Sequence, residues 1–434
     1  MRIDITGECA IADKKFNFFG KIEFDNEKSL FELYTSEDEA ISLDTGELFR
    51  FPSILKVFGV NSQPYILYGC QLFSKQMYAG RNGNTTLTFK GAFSFIIEQG
   101  EKNKYYDNYR FSFSHIEHLF PLENFETDFW DKDKPLTIIK EKDGGVKFNI
   151  ADKEFNITSE FDGISSSKKS ELQITQKKLI YIRYPSATNI EEIFYDIDVF
   201  KKYIEYLFNT EIRIDNIALM ENIRNKKNPF YTENKILYTE RFLPYTRIKS
   251  NLKSKYTGSH KEFISGITSW FLNYKQYERA INIWCKTIYN PKISKEDRLI
   301  WLCQSFESLC QINKPVYNLA LSKRENKNIP PNLKHYFIAI SELADIFKGN
   351  TTIEKEYVNT KNVRDKYIHN NPQKRITIVQ ENNALELIRA MLSKVVEYIF
   401  GIKTPISYMP IDVSSMKGEM LSNYLKGLER KLSS

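Results

Sequence analysis

Arg364-Asp365-Lys366-Tyr367-Ile368-His369 is the segment whose residue types and spacing best suit chemistry. A histidine exchanges a proton near neutral pH. An arginine grips a phosphate through two donors and stabilises the charge that develops in phosphoryl transfer. On a helix Asp365 and His369 are neighbours, four residues apart. The carboxylate is then placed to fix the imidazole tautomer and favour its charged form. Arg364 and His369 are five apart, roughly 140° around a helix and about 7.5 Å along it. Only the long arginine arm lets both serve one phosphate; otherwise two chains share the site.

Spacing alone decides little, because Arg110 and His115 repeat it. Arg110-Phe111-Ser112-Phe113-Ser114-His115 reads as a strand, where residues an odd number apart point to opposite faces. That copy is set aside. Ser114-His115-Ile116-Glu117-His118 offers two imidazoles but no third ligand, so no metal is expected. His260 and His335 are isolated and read as structural or solvated. The sequence contains no GxxxxGK[ST] and no GxSxG, so neither a P-loop nor a nucleophile elbow is supported. No cofactor is expected.

The elements that must position the motif come from two periodicities. The N-terminal half alternates with period two, in Asn17–Phe24, Thr85–Gly91 and Tyr109–Ser114. Turn signals at Asp25-Asn26, Gly80–Asn84 and Asp143–Gly145 separate such runs, so short antiparallel strands in a sandwich-like domain, or a barrel, are expected. A short helix around 190–208 closes it. The polar stretch 222–259 reads as connection.

From about 260 the period becomes 3.6. Phe263, Ile267, Trp270, Phe271 and Tyr274 form one stripe, with Trp270 and Trp284 read as core. Leu299, Leu302, Phe306 and Leu309 form another, after a Ser294-x-x-Asp297 start. Further helices are expected over Asn332–Phe347, closed by Lys348-Gly349-Asn350, and over Asn383–Ile402, stopped by Gly401. Between them lies a polar helix from Thr352 to His369, ended by Asn370-Asn371-Pro372. The motif thus ends a polar helix inside an α-helical bundle. The organisation is α+β and multidomain: 1–221 β-rich, 222–259 connecting and 260–434 helical.

Composition narrows the partners. The chain has 434 residues, 41% of them apolar, which suffices for a core in each part. No apolar run approaches the roughly 18 residues of a membrane span, and the start lacks a signal-peptide stretch. Five scattered cysteines without a CxxC argue against disulfides and a thiolate zinc site, and for a reducing cytoplasm. Cys303 and Cys310 read as core. Residues 251–434 hold 28 basic and 17 acidic side chains, whereas the remainder is mildly acidic. A basic helical part suits a polyanion partner.

The Arg364-Asp365-x3-His369 pattern resembles the Arg-x4–6-His signature of HEPN domains, and the flanking helices stand in the order that family needs. The N-terminal half resembles the ApeA-type anti-phage proteins, which place such a domain before a HEPN domain. The residues that carry this are Gly20–Phe24, Leu30–Leu33, Tyr65–Cys70 and the segment from Phe120 to Trp130. The resemblance implies a four- or five-helix HEPN bundle acting as a metal-independent endoribonuclease in abortive infection. His369 would be the general acid/base at a ribose 2′-OH, Arg364 would bind the strained phosphate and Asp365 would orient or tune the site. Cleavage would leave a 2′,3′-cyclic phosphate. Glu307 would be an accessory acid, and Lys366, Lys374 and Arg375 would hold RNA backbone. The implied partners are RNA, tRNA included, a phage component as trigger and a second copy of the chain with the motif near the interface. The alternative is a non-catalytic protein whose bundle contacts nucleic acid or a nucleotide and whose β-rich part contacts a glycan or protein.

Overall fold

The computed structural model describes residues 1–11, 14–25, 28–35, 53–59, 62–79, 85–98, 105–114, 116–120, 125–128, 137–140, 145–166, 171–222, 231–239, 259–290, 292–345, 351–369 and 376–402. It divides into two units. One comprises Met1–Asp198 and Arg213–Leu243, the other Val199–Ile212 and Pro244–Ser434.

In the first unit fourteen of the described strands join in one hydrogen-bonded series, every pairing antiparallel. Alternation explains how they pack. Over Ser29–Thr35 every second side chain is buried, and Phe31 and Leu33 meet Ile22, Leu87 and Phe89 in one apolar cluster. The strand Lys14–Phe24 runs between Arg2–Ile11 and Ser29–Thr35. Gly20 permits that close pairing: a Cβ there would lie 2.1 Å from the Glu32 carbonyl oxygen. Further along the series, Lys153–Ser166, Glu171–Thr188 and Tyr106–Phe113 are neighbours.

Helix α1, Ile190–Phe208, follows. It spans the 190–208 stretch expected, 19 residues, and is started by the Asn189 side chain, which accepts from the Glu192 amide. Its first half is fastened within the sheet unit. Asp196 is almost fully buried and accepts from Lys153 Nζ at 2.9 and 2.7 Å and from the Tyr184 hydroxyl. Its second half belongs to the helical unit. One correction concerns 222–259: Tyr231–Thr239 is a strand, paired with Ile214–Asn222 and Phe95–Glu98. Its polar run Thr232-Glu233-Asn234-Lys235 hid it, yet Asn234 is fully buried.

The second unit is helical, with α2 His260–Tyr289, α3 Lys295–Ile312, α4 Lys314–Ser322, α5 Leu333–Leu343, α6 Thr351–His369 and α7 Ile378–Phe400. Ser259 and Glu262 form a capping box on α2. Ser294 accepts from the Asp297 amide, the predicted start of α3. Gly401 ends α7 in the left-handed conformation, φ 66°. The predicted stripes face inward: Phe263, Ile267, Trp270, Tyr274, Leu299, Leu302, Phe306 and Leu309 are buried, whereas Phe271 of the first stripe is only half-buried. Trp270 donates from its ring nitrogen to the Val199 carbonyl at 3.1 Å. Both tryptophans and the free thiols of Cys303 and Cys310 are core, as read. α4 was not anticipated, although Asn313 caps it and Pro315 stands in its first turn. The turn signals at Asn26, Gly80–Asn84 and Asp143-Gly144, the helix stops at Lys348–Asn350 and Asn370–Pro372, His115, and the Trp130 end of the quoted N-terminal segment lie outside the described residues. No described helix is long and apolar enough to cross a membrane.

Candidate functional site

The site is built on α3 and α6. α6 is polar over most of its surface and buries one stripe, Ile353, Tyr357, Thr360 and Val363. These recur at helical spacing and fix which way the helix faces. The Tyr357 and Ser341 hydroxyls are hydrogen-bonded at 2.5 Å, fastening α6 to α5. Arg364 follows the last residue of the stripe and so lies at the rim of the core. On α3, Glu307 follows buried Phe306 and takes the corresponding rim position.

These rims meet. Arg364 donates from Nη2 to Glu307 Oε1 and from Nη1 to Asp365 Oδ1 at 2.9 Å. Lys361, one turn earlier on α6, donates from Nζ to Asp365 Oδ2 at 2.8 Å. The arginine side chain retains 15% of its exposure and the two carboxylates 19% each, so the cluster is partly shielded from water. Two cations and two carboxylates offset one another in formal charge. Arg364 Nε is buried without a partner among the described residues.

Burial raises the Glu307 carboxyl above its ordinary range, and the adjacent Arg364 only partly counters this. The Cys303 thiol beneath is pushed up, first by burial and then by the charge of Glu307. A thiol held protonated this way is a poor nucleophile, which fits its role as core.

His369 is the last residue of α6 and is exposed. Among the described residues no hydrogen bond or ion pair reaches it. The structure therefore brings Arg364, Asp365 and Glu307 together and leaves His369 open to solvent at the helix end. The expected link from Asp365 to the imidazole is corrected: both carboxylate oxygens are taken by Arg364 and Lys361. Arg364 adjoins Asp365 in sequence and Lys361 stands one turn before it, each within reach on the same helix. Lys366 is half-buried, its ammonium 6.0 Å from the centre of the Tyr367 ring. Tyr367 in turn donates to Glu381 at 3.0 Å, joining α6 to α7. Lys374 and Arg375 lie outside the described residues. Sequence reasoning missed Lys361, although its place four residues before Asp365 was the available signal.

Comparison with known families adds a separate observation. The sequence model described as ApeA N-terminal domain 1 matches residues 4–263, more than half of the chain. The chain belongs to the ApeA N-terminal domain 1 family. That membership supports an ApeA-type anti-phage defence protein. The matched ApeA region takes in the strands and the whole of α1, and ends at Phe263 in the first turn of α2. The residues from Glu307 to His369 lie beyond it. No curated protein and no solved structure matches the chain.

Proposed function

We propose that the chain is a metal-independent endoribonuclease of the HEPN type, acting in abortive infection. The observation that carries this reading is one helix that presents two complementary groups. On α6 a partly shielded arginine is held by a carboxylate from α3, and an exposed histidine follows five residues later. His369 moves the protons. As general base it takes the proton from a ribose 2′-OH, whose oxygen attacks the adjacent phosphorus. The bond from phosphorus to the 5′-oxygen breaks, leaving a 2′,3′-cyclic phosphate and a 5′-hydroxyl that regains a proton. Arg364 stabilises the additional charge on the phosphoryl oxygens.

RNA, tRNA included, is the substrate class, and the basic excess after residue 250 favours it. The active form is a cytoplasmic homodimer with the motif near its interface. Exposed Ile368 and Ile378, on either side of the motif end, suit such a contact. A phage component is the trigger, and the β-rich part senses it or restrains the bundle.

The test is incubation of the purified protein with total cellular RNA in excess EDTA, beside His369→Ala, with end-group analysis. The expected result is cleavage by the wild type alone, with cyclic-phosphate ends. Equal cleavage by both proteins removes His369 from the mechanism. The second reading, a bundle that binds nucleic acid without cutting it, draws on the engagement of Asp365 by cations rather than by His369. It predicts graded loss of affinity in the same variants and intact RNA throughout.

A further inference from the structure

A phosphate that is to be gripped by Arg364 must find donors, and in this structure both terminal nitrogens already serve carboxylates. Nη2 is bound to Glu307 and Nη1 to Asp365. An approaching phosphate also meets two negative charges of its own sign. Each terminal nitrogen keeps one further N–H, so a phosphate can reach the arginine only beside a carboxylate of its own sign and on a guanidinium whose charge is already offset.

The two carboxylates are not equivalent. Glu307 sits on α3, largely buried above Cys303, and Arg364 is its cationic partner among the described residues. Releasing Arg364 would leave a buried charge uncompensated, which is costly. Asp365 has a second cation. Lys361 holds its other oxygen at 2.8 Å, so Asp365 can give up Arg364 and remain paired. The link to Asp365 is thus the cheaper one to break.

From this asymmetry we infer that Asp365 is a latch on Arg364. It competes with RNA phosphate for Nη1, and productive binding transfers Nη1 from the carboxylate to the phosphate while Nη2 stays on Glu307. The inference rests on the RNA-directed reading of the site. It adds a resting state in which the charge of Arg364 is offset, a residue that maintains it and a lysine that keeps the displaced carboxylate paired.

The experiment is binding of a 2′-O-methylated RNA oligonucleotide, which cannot be cut by 2′-OH attack, followed by fluorescence anisotropy. The full-length proteins compared are wild type, Asp365→Asn, Arg364→Ala and the double variant. Circular dichroism checks that each is folded, and Asp365→Ser takes the place of Asp365→Asn if the latter is not. The latch predicts that Asp365→Asn binds about two- to fivefold more tightly than wild type, the upper range of a partly exposed ion pair. The gain must disappear in the Arg364→Ala background. An equal gain without Arg364 reports only the removal of a negative charge and overturns the latch. So does no gain, or no binding by either protein.

Cleavage assays on the same four proteins separate this inference from the enzymatic reading. Arg364-dependent tightening with intact natural RNA keeps the latch and removes the nuclease. Cleavage by the wild type with no coupling between the two positions keeps the nuclease and removes the latch.

Discussion

His369 and Arg364 should differ in what their loss does to the fold. His369 is exposed at a helix end, so His369→Ala should change stability by no more than about 0.5 kcal/mol. Arg364→Ala strands a largely buried carboxylate and should cost about 1–3 kcal/mol in urea unfolding. Glu307 supplies a pH signature of the same contact. Its carboxyl titrates above its ordinary 4.5 because burial dominates. A group raised in this way lends stability that is complete below the unfolded value and is lost as pH rises through the folded one. Unfolding free energy measured from pH 4 to 7 should therefore contain a downward component that Glu307→Gln removes. At this scale the Arg-x4-His spacing and the carboxylate beside it were legible. The partner of Arg364 was not, because Glu307 is 57 residues away and entered only through the resemblance. The partners of Asp365 were misread because Lys361, four residues before it, was overlooked beside His369, four residues after it.

Elements hold these residues by their buried stripes. Phe306 is fully buried on α3 and packs against Phe337, with ring centres 5.0 Å apart. Phe306→Ala should cost about 3–5 kcal/mol and should displace Glu307, its neighbour in sequence. The measurement is a loss of both melting temperature and RNA affinity, whereas a substitution remote from Glu307 of equal thermal cost should spare affinity at low temperature. The stripes of α2, α3 and α7 were readable because a single apolar face repeats over several turns. Short α4 offers nine residues and little repetition, and only the Asn313 cap and Pro315 mark it. The strand Tyr231–Thr239 was unreadable for the opposite reason. Asn234 is buried there although polar, and the strand is set by pairing with residues distant in sequence. Period alone does not report such burial.

At the scale of the whole molecule, the division into units falls inside α1, between Asp198 and Val199. Asp196 is tied to Lys153 and Tyr184 in the sheet unit. Val199 accepts from Trp270, and Tyr203 packs on Phe263 and Trp270 with ring centres 5.4 and 5.8 Å away. Tyr203→Ala should thus destabilise the helical unit by about 3–5 kcal/mol, seen as reduced amide protection in α2 by hydrogen exchange. Unchanged protection there would separate α1 from the bundle core. The change of period near 260 was legible, but the shared helix was not: both halves of α1 carry the same helical pattern, and nothing local marks where its allegiance changes.

That shared helix sets a condition on recombination. A chimaera joined after Leu243, where the sheet unit ends, would bring α1 with the sheet and leave the recipient bundle to accept a foreign Val199–Ile212 segment against its own Phe263, Trp270 and Tyr274. Exchange of sheet units among relatives should therefore succeed only where those aromatic contacts are compatible, so that one helix, and not the linker, governs which halves can be inherited separately.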